Sequence, residues 1–585
     1  KEVLMYIEKL AIHPEFCTRK NKQFIDITRL IRSLAYEEQH FEQCAKLLCQ
    51  FALSENKGEN NNSIRDILKS LFQLYLSGTH ATKEQRLKVI DSLIKTTIQS
   101  NVDLAFELLG SSLKAGHFSA SHSFDFGANS RDYGYIPKTN QDGNDWYTLF
   151  INYTAKLVIS GSSHSTLAKG ELGKSLRSLW RQRNLRDLIE STCLKISCLE
   201  MWNDGFSAIH SILRFDCKTS DEGEIERLKS IAEQLSPKSL VDKINMYVLA
   251  DKWRFHALEE FDNEGKLIEH GYKKGQQYSK ELGLKLTSTD NKLVKSLLNE
   301  LLSYKGSSSN LFEFGEGAAQ GAKDNDELLA MTIATLEQLP EKERNLEFLR
   351  GQINYLSKHD IELTNTFLES LFIHPTLKKH FAWVQLSYDI DSKSIARIVR
   401  ALKEKISPIS VYRYLEFGCR HEPIPDDQLC EILDLLLQQD GGQEVSIEII
   451  SNRFQGLQQN QNYTVSDLLK KKAASLLATL DYTIDNSNSG INDYSLTKIV
   501  KVCFSKDTNK EYAVTLLKQI KSKILENIIG KYHFPEFMAT LIQAFPILSL
   551  DVFIGDVSEV EWQIKNAISG RLDKKESPFS IVDTM

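Results

Sequence analysis

The sequence predicts an all-α protein, an α-solenoid of irregular helix pairs of the tetratricopeptide type, on three observations. Apolar residues recur at helical spacing along most of the 585-residue chain. There are only 11 prolines, and most of them fall between apolar stripes, where they separate helices instead of breaking them. Alternating strand patterns bounded by Asn-Gly turns are nearly absent. The best of them, "EVSIEII" from Glu444 to Ile450, reads equally well as a helix.

Each element follows from its own stripe and its ends. "FEQCAKLLCQFAL", Phe41 to Leu53, reads as one member of a helix pair. Ile64, Ile67, Leu68 and Leu71 stand at i, i+3, i+4 and i+7 behind Ser63, a capping residue. Thr82 with Gln85 three residues on is a capping box. "DWYTLFINYTAKLVIS" fits a helix, and "LRDLIESTCLKISCLEMWNDGFSAIHSIL", Leu185 to Leu213, fits a pair. Ile395, Ile398, Val399 and Leu402 form a further stripe, and so do Leu429, Ile432, Leu433 and Leu436. Pro425 with Asp426 and Asp427 opens the last of these, and Gly441 stops it. No strict 34-residue period survives, so the expectation is a one-dimensional stack in which each pair buries its stripe against its neighbours. Helices of about 10 to 18 residues with short connections imply roughly 25 to 30 of them.

Four segments interrupt the stripes: Asn56 to Ser63, Ser119 to Asn144, "GSSSNLFEFGEG" from Gly306 to Gly317, and Asp485 to Gly490. They suggest N-terminal repeats over 1–116, an aromatic and glycine-rich loop over 117–144, central repeats over 145–306 and C-terminal repeats over 307–585.

Composition narrows the class. Hydrophobic residues at 41% and charged residues at 26% exclude a disordered chain. A net charge of -6 gives no field that would advertise nucleic acid or an anionic membrane. The nine cysteines are scattered without a C-x-x-C spacing, as expected for reduced, mostly buried thiols of a cytoplasmic protein. Cys44 and Cys49, like Cys193 and Cys198, are five apart and lie on different helix faces. No apolar run reaches about 18 residues. Lys1-Glu2-Val3 is neither a signal peptide nor a natural start, which suggests a fragment of something longer.

Several stretches raise a chemical question. "AKGELGKS", Ala168 to Ser175, ends like a phosphate-binding loop, but Ala168 stands where such a loop needs its first glycine, and a helix precedes it in place of a strand. The expectation is a helix–helix junction, with no nucleotide and no other cofactor. His117, His122 and Asp125 are candidate metal ligands, set against local hydrogen bonding in a folded loop; no metal is expected. In "KSLRSLWRQRNLR", Arg177 and Arg181 share a face beside Trp180. They form either a ridge that grips phosphates or a solvated face paired with Asp187 and Glu190. Lys470 to Lys472 read as a solvated turn of helix. The loop from Phe118 to Thr139 gathers Phe124, Phe126, Tyr133, Tyr135 and, beyond it, Trp146 around an Arg131-Asp132 pair. It is either a plug across repeats or a protein-binding loop. The candidate protein-binding residues are therefore Arg131, Asp132, Tyr133, Tyr135, Arg177, Trp180 and Arg181. No catalytic set stands out among the 78 acids.

"FDFGANSRDYGYIPKT" with the following "DWY", then "WNDGFSAIHSILRFD" (Trp202 to Asp216) and "FEFGEGAAQGAKD" (Phe312 to Asp324), resembles the C-terminal helical-repeat region of large bacterial STAND-type NTPases. The resemblance is in particular to the antiviral Avs-like group and its relatives with sirtuin-like or nuclease effectors. The resemblance runs from about Ile64 to Gln438. It implies an α-solenoid that senses a phage structural or packaging protein, such as a terminase or portal subunit. Binding would release an NTPase domain of the same chain to oligomerise and switch on an effector. The family's nucleotide-binding residues have no match here, so the segment itself is not expected to be an enzyme. Neither a membrane nor nucleic acid is an expected partner. The alternative is a general scaffold for cellular proteins.

Overall fold

The computed structural model describes residues 2–555 apart from 56–62, 121–123, 218–221, 250–251, 262–266, 290, 307–308, 417–419, 457–463, 483–490, 505–507, 527 and 530–532. The interruptions expected at 56–63 and 485–490 lie almost wholly outside the described residues, as does His122.

Helices form where stripes and caps coincide. Ile64, Ile67, Leu68 and Leu71 are all buried, and Ser63 accepts the amide of Asp66. Thr82 and Gln85 close a reciprocal capping box, and Thr139 with Asp142 forms another. Each such cap satisfies amide groups that the first helical turn leaves without partners.

Two units divide the chain after Ser279. The first contains α1 (Glu2–Ala11), α2 (Phe24–Leu34), α3 (Glu38–Leu53), α4 (Ile64–Ser70), α5 (Lys83–Ile94), α6 (Gln99–Leu113), α7 (Asn140–Ile159), α8 (Ser165–Trp180), α9 (Arg186–Ser197), α10 (Asn203–Phe215), α11 (Glu222–Leu235) and α12 (Leu240–Tyr247). Next-but-one helices touch: α2, α4, α6, α8 and α10 form one layer, and α1, α3, α5, α7, α9 and α11 the other. This is the stacking of a solenoid, in which a helix packs on its partner and on the repeats before and after. Trp146, Phe41, Phe51, Phe72 and Phe150 fill the space between the layers. Arg86 is fully buried among them, donating to the carbonyls of Leu71 (2.7 Å) and Ala81 (2.6 Å) and to Ser77 Oγ (3.1 Å), with its guanidinium over the rings of Phe41 and Trp146. A two-stranded antiparallel pair, Glu260–Phe261 with Leu267–Glu269, is the exception to an all-α chain among the described residues.

The boundary falls within α13 (Gly271–Thr289). The second unit continues with α14 (Asn291–Ser303), α15 (Ser309–Gly321), α16 (Asn325–Gln338), α17 (Glu347–His359), α18 (Ile361–Phe372), α19 (Phe381–Gln385), α20 (Ser392–Lys403) and α21 (Asp426–Leu437). After these come α22 (Gly442–Gly456), α23 (Asp467–Thr479), α24 (Asp493–Cys503), α25 (Lys510–Leu525), α26 (Pro535–Ala544) and α27 (Pro546–Phe553). The same next-but-one pattern holds from α21 to α27, over one apolar core that runs from Ala382 to Phe553. "EVSIEII" lies in α22.

One expected interruption is a helix. "NLFEFGEG" belongs to α15, which packs more extensively on α17 than any other helix pair packs. Its glycines are contact residues: a Cβ on Gly315 would run into the carbonyl of Phe348, one on Gly317 into that of Lys280, and one on Gly351 of α17 into that of Phe312. Glycine costs a helix about 1 kcal/mol relative to alanine, and here the close backbone approach offsets that cost.

Among the described residues no single helix is long and apolar enough to cross a membrane. The bent pair α26 and α27, meeting at 112°, comes nearest by composition but buries Phe537, Leu541 and Phe553 inside the second unit.

Candidate binding surface

Gly173, Lys174 and Ser175 lie inside α8, so their amides serve the helix and cannot wrap a phosphate. Gly173 is there for packing: a Cβ would stand 2.5 Å from Cβ of Asp204 on α10. Lys174 Nζ binds Glu171 at 2.6 Å.

Lys174 and Ser175 nevertheless line a cavity of about 720 Å³ that crosses α4, α6 and α8 on one layer of the first unit. Its walls carry two local ion pairs, Lys69 with Asp66 (2.7 Å) and Lys174 with Glu171, and Glu107, which is held from α4 by Arg65 (2.7 Å). Ser119 and Ala120, the start of the long loop, close one end, and the Lys114 ammonium sits over Phe118 at 5.7 Å. On the floor, Gly110 leaves room for the carboxylate of Glu171, which would meet any Cβ there.

The loop itself is tied down by segments far away in sequence. Arg131 Nη1 donates to the carbonyl of Ser33 (2.6 Å), and its guanidinium lies between the rings of Tyr36 and Phe126, at 4.4 and 4.6 Å. Asp132 accepts from Tyr36 Oη (3.2 Å) and the Gly134 amide (2.9 Å), and meets His80 Nε2 at 3.0 Å. Burial works to raise the Asp132 carboxyl, but the Gly134 amide, His80 and Tyr36 outweigh it and hold it below the usual range. Gly134, at φ +85°, lies flat against Thr79, whose carbonyl accepts the Tyr135 amide at 2.8 Å. The Tyr135 ring stacks on Trp146 at 5.9 Å. Arg131, Asp132 and Tyr135 are thus engaged within the unit, whereas Tyr133 and Ile136 keep half their surface in solvent. His117 and Asp125 gather no ligand set: among the described residues no group of three His, Cys, Asp or Glu could hold a metal ion.

Trp180 is buried, its Nε1 donating to Glu224 at 3.2 Å with the guanidinium groups of Arg186 and Arg227 over the ring. It is a packing residue and presents no ring to a partner. Asp187 and Glu190, the partners expected for the basic ridge, are both bound by Arg227 of α11, each at 2.6 Å. Arg177 instead makes a bidentate pair with Asp216 (2.7 and 2.9 Å), and Arg181 Nη2 reaches the same carboxylate at 2.9 Å. The Arg177 hydrogen bond holds Asp216 below the ordinary carboxylate range.

This arrangement frames a residue the sequence reading passed over. Phe215, 45% exposed, is flanked by the guanidinium groups of Arg177 (5.1 Å) and Arg214 (5.5 Å), with His256 edge-on at 5.1 Å. Arg214 is fixed in turn by Glu259 at 2.8 Å. The stretch "LRFD" carried the signal, an aromatic between a base and an acid at a helix end, but Arg177 lies 38 residues upstream.

Neither a family model nor a curated protein matches the chain. The chain is an all-α repeat array with a polar groove and an arginine-flanked aromatic on one helix layer of its first unit.

Proposed function

We propose that the chain is a protein-recognition array, and that it is the ligand-sensing region of a bacterial antiphage STAND NTPase. In that setting it acts in the cytoplasm and takes a phage structural or packaging protein, such as a terminase or portal subunit, as its partner. The observation that carries the recognition role is the layer α4, α6, α8 and α10. Consecutive repeats there present a groove and then Phe215 to one side, which suits a standard protein interface of about 1,600 Å². The sensor assignment draws on the resemblance of the Phe124–Thr139, Trp202–Asp216 and Phe312–Asp324 stretches. Signalling to the NTPase requires that the partner bind one arrangement of the repeats more tightly than another, since equal affinity shifts nothing.

The test is co-elution of the purified chain with a panel of phage terminase and portal proteins on size-exclusion chromatography. A stoichiometric complex with one of them is expected. A folded chain that binds none of the panel but forms stoichiometric complexes with host proteins would assign it to general scaffolding instead.

A further inference from the structure

We infer that the C-terminal ends of α8 and α10 form a docking surface for the acidic face of a folded protein, with Phe215 as its anchor. This deepens the recognition role proposed above and rests on it.

The argument begins with which charge of each pair lies outermost. The Asp216 side chain is 18% exposed, against 38% for Arg177 and 49% for Arg181 above it. Glu171 is likewise 18% exposed, and Lys174 72%. Glu259 lies deeper than the Arg214 it holds. In each of these pairs the carboxylate is underneath and the cation on top, whereas Asp66 and Glu107, further along the layer, lie outside Lys69 and Arg65; a molecule approaching the α8 and α10 end therefore meets positive charge although the pairs nearly balance. Arg181 uses Nη2 on Asp216, and its planar fork carries further N–H donors that a partner carboxylate can accept.

Phe215 supplies the apolar centre. Guanidinium groups on two sides and His256 at its edge hold the ring in place, and those guanidinium groups are themselves held by Asp216 and Glu259. Burying an already ordered ring costs little side-chain entropy, which is how aromatic and arginine residues come to dominate interfaces. A protein is favoured over a nucleic acid because Glu171, Asp216 and Glu259 pair with these cations and leave too little net positive charge to hold a continuous phosphate backbone. A folded acidic surface can set its carboxylates opposite the cations alone.

The test titrates the whole chain with poly-L-glutamate in low salt, beside a poly-dT oligonucleotide of equal charge, following heat by calorimetry. Saturable binding to polyglutamate is expected, lost on adding salt and weakened about tenfold by Lys174→Ala with Arg181→Ala. Both side chains are exposed, so the helical melting transition should not move, and this is checked by circular dichroism. Phe215→Ala is then applied to any complex found with the terminase and portal panel, where a loss of about thirtyfold or more in affinity is expected, about the least that an anchor residue shows. Undiminished polyglutamate binding in the double variant, or tighter binding of the oligonucleotide, overturns the inference. A panel complex indifferent to Phe215→Ala also overturns it and leaves the sensor reading standing. Polyglutamate binding that depends on the patch, with stoichiometric complexes with host proteins and none with the panel, supports the surface and replaces the phage-sensor assignment with general scaffolding.

Discussion

In the second unit, Gly315 and Gly317 of α15 and Gly351 of α17 each face a main-chain carbonyl of a neighbouring helix, whereas Gly110 of α6 in the first unit faces the end of the Glu171 side chain. The residue type and the helical setting are the same, but what stands opposite differs. A carbonyl belongs to a rigid helix that moves only as a whole; a carboxylate at the end of a flexible chain swings away. Gly315, Gly317 and Gly351 therefore set the distance between helices, as Gly173 does between α8 and α10 in the first unit, whereas Gly110 shapes the floor of a polar groove. Contact by backbone gives a fixed joint, and contact by side chain leaves a surface that a partner can rearrange.

The largest expected effect tests the rigid half of that contrast. Gly351→Val pushes a branched side chain at the carbonyl of Phe312 and should destabilise the chain by about 3 kcal/mol, at the upper end of overpacking costs. A urea unfolding curve measures it. An unchanged midpoint would mean that α15 and α17 part freely, and the distinction between backbone and side-chain contact would fail.

Acid provides the next lever. Burial pushes His421, His380 and His210 down to about 4, with Arg453 adding to the effect at His421, Lys379 and Arg344 at His380, and His256 at His210. Between that value and the ordinary histidine value of about 6.5, the unfolded chain binds protons that the folded chain refuses, so stability falls as pH drops through the window. The second unit holds two of the three and should lose more. The urea midpoint between pH 7 and pH 5 reads this directly, and His421→Gln should flatten part of the slope; a midpoint independent of pH would show that these imidazoles reach water.

A smaller effect is expected at Gly110. Gly110→Ala gains up to about 1 kcal/mol of helix propensity and needs only that Glu171 turn aside, so the net change should stay within about 1 kcal/mol. A loss comparable to that of Gly351→Val would show that Glu171 is as fixed as a backbone, and the contrast between the two kinds of contact would collapse.

The stripes and caps were legible because they are local: a helix needs only its own i, i+3 and i+4 residues and its first turn to declare itself. "NLFEFGEG" misled because glycine in sequence signals a turn, and nothing within eight residues shows the carbonyl of Phe348 that makes it a contact residue. The same limit governs the candidate surface. Arg131 finds Ser33 at a separation of 98 residues and Arg177 finds Asp216 at 39, so the sequence offered the right charges and rings but could not say which would be consumed by one another. Trp180 went into the core, Arg131 and Asp132 into pinning a loop, and Phe215 was left outside.

The smallest expected effect concerns the stretch that looks most like chemistry. Lys174→Ala removes an exposed ammonium whose bond in the structure is to Glu171 one turn away, and surface pairs of this kind contribute about 0.5 kcal/mol or less. Stability should be unchanged within that margin. Nucleotide affinity should be unchanged as well, because the amides that would cradle a phosphate are hydrogen-bonded inside α8. Fluorescent ATP titrated against both proteins checks this: binding by the parent chain that vanishes in the variant would make Gly173-Lys174-Ser175 a phosphate site after all, and the groove it lines would then belong to a nucleotide and not to a protein.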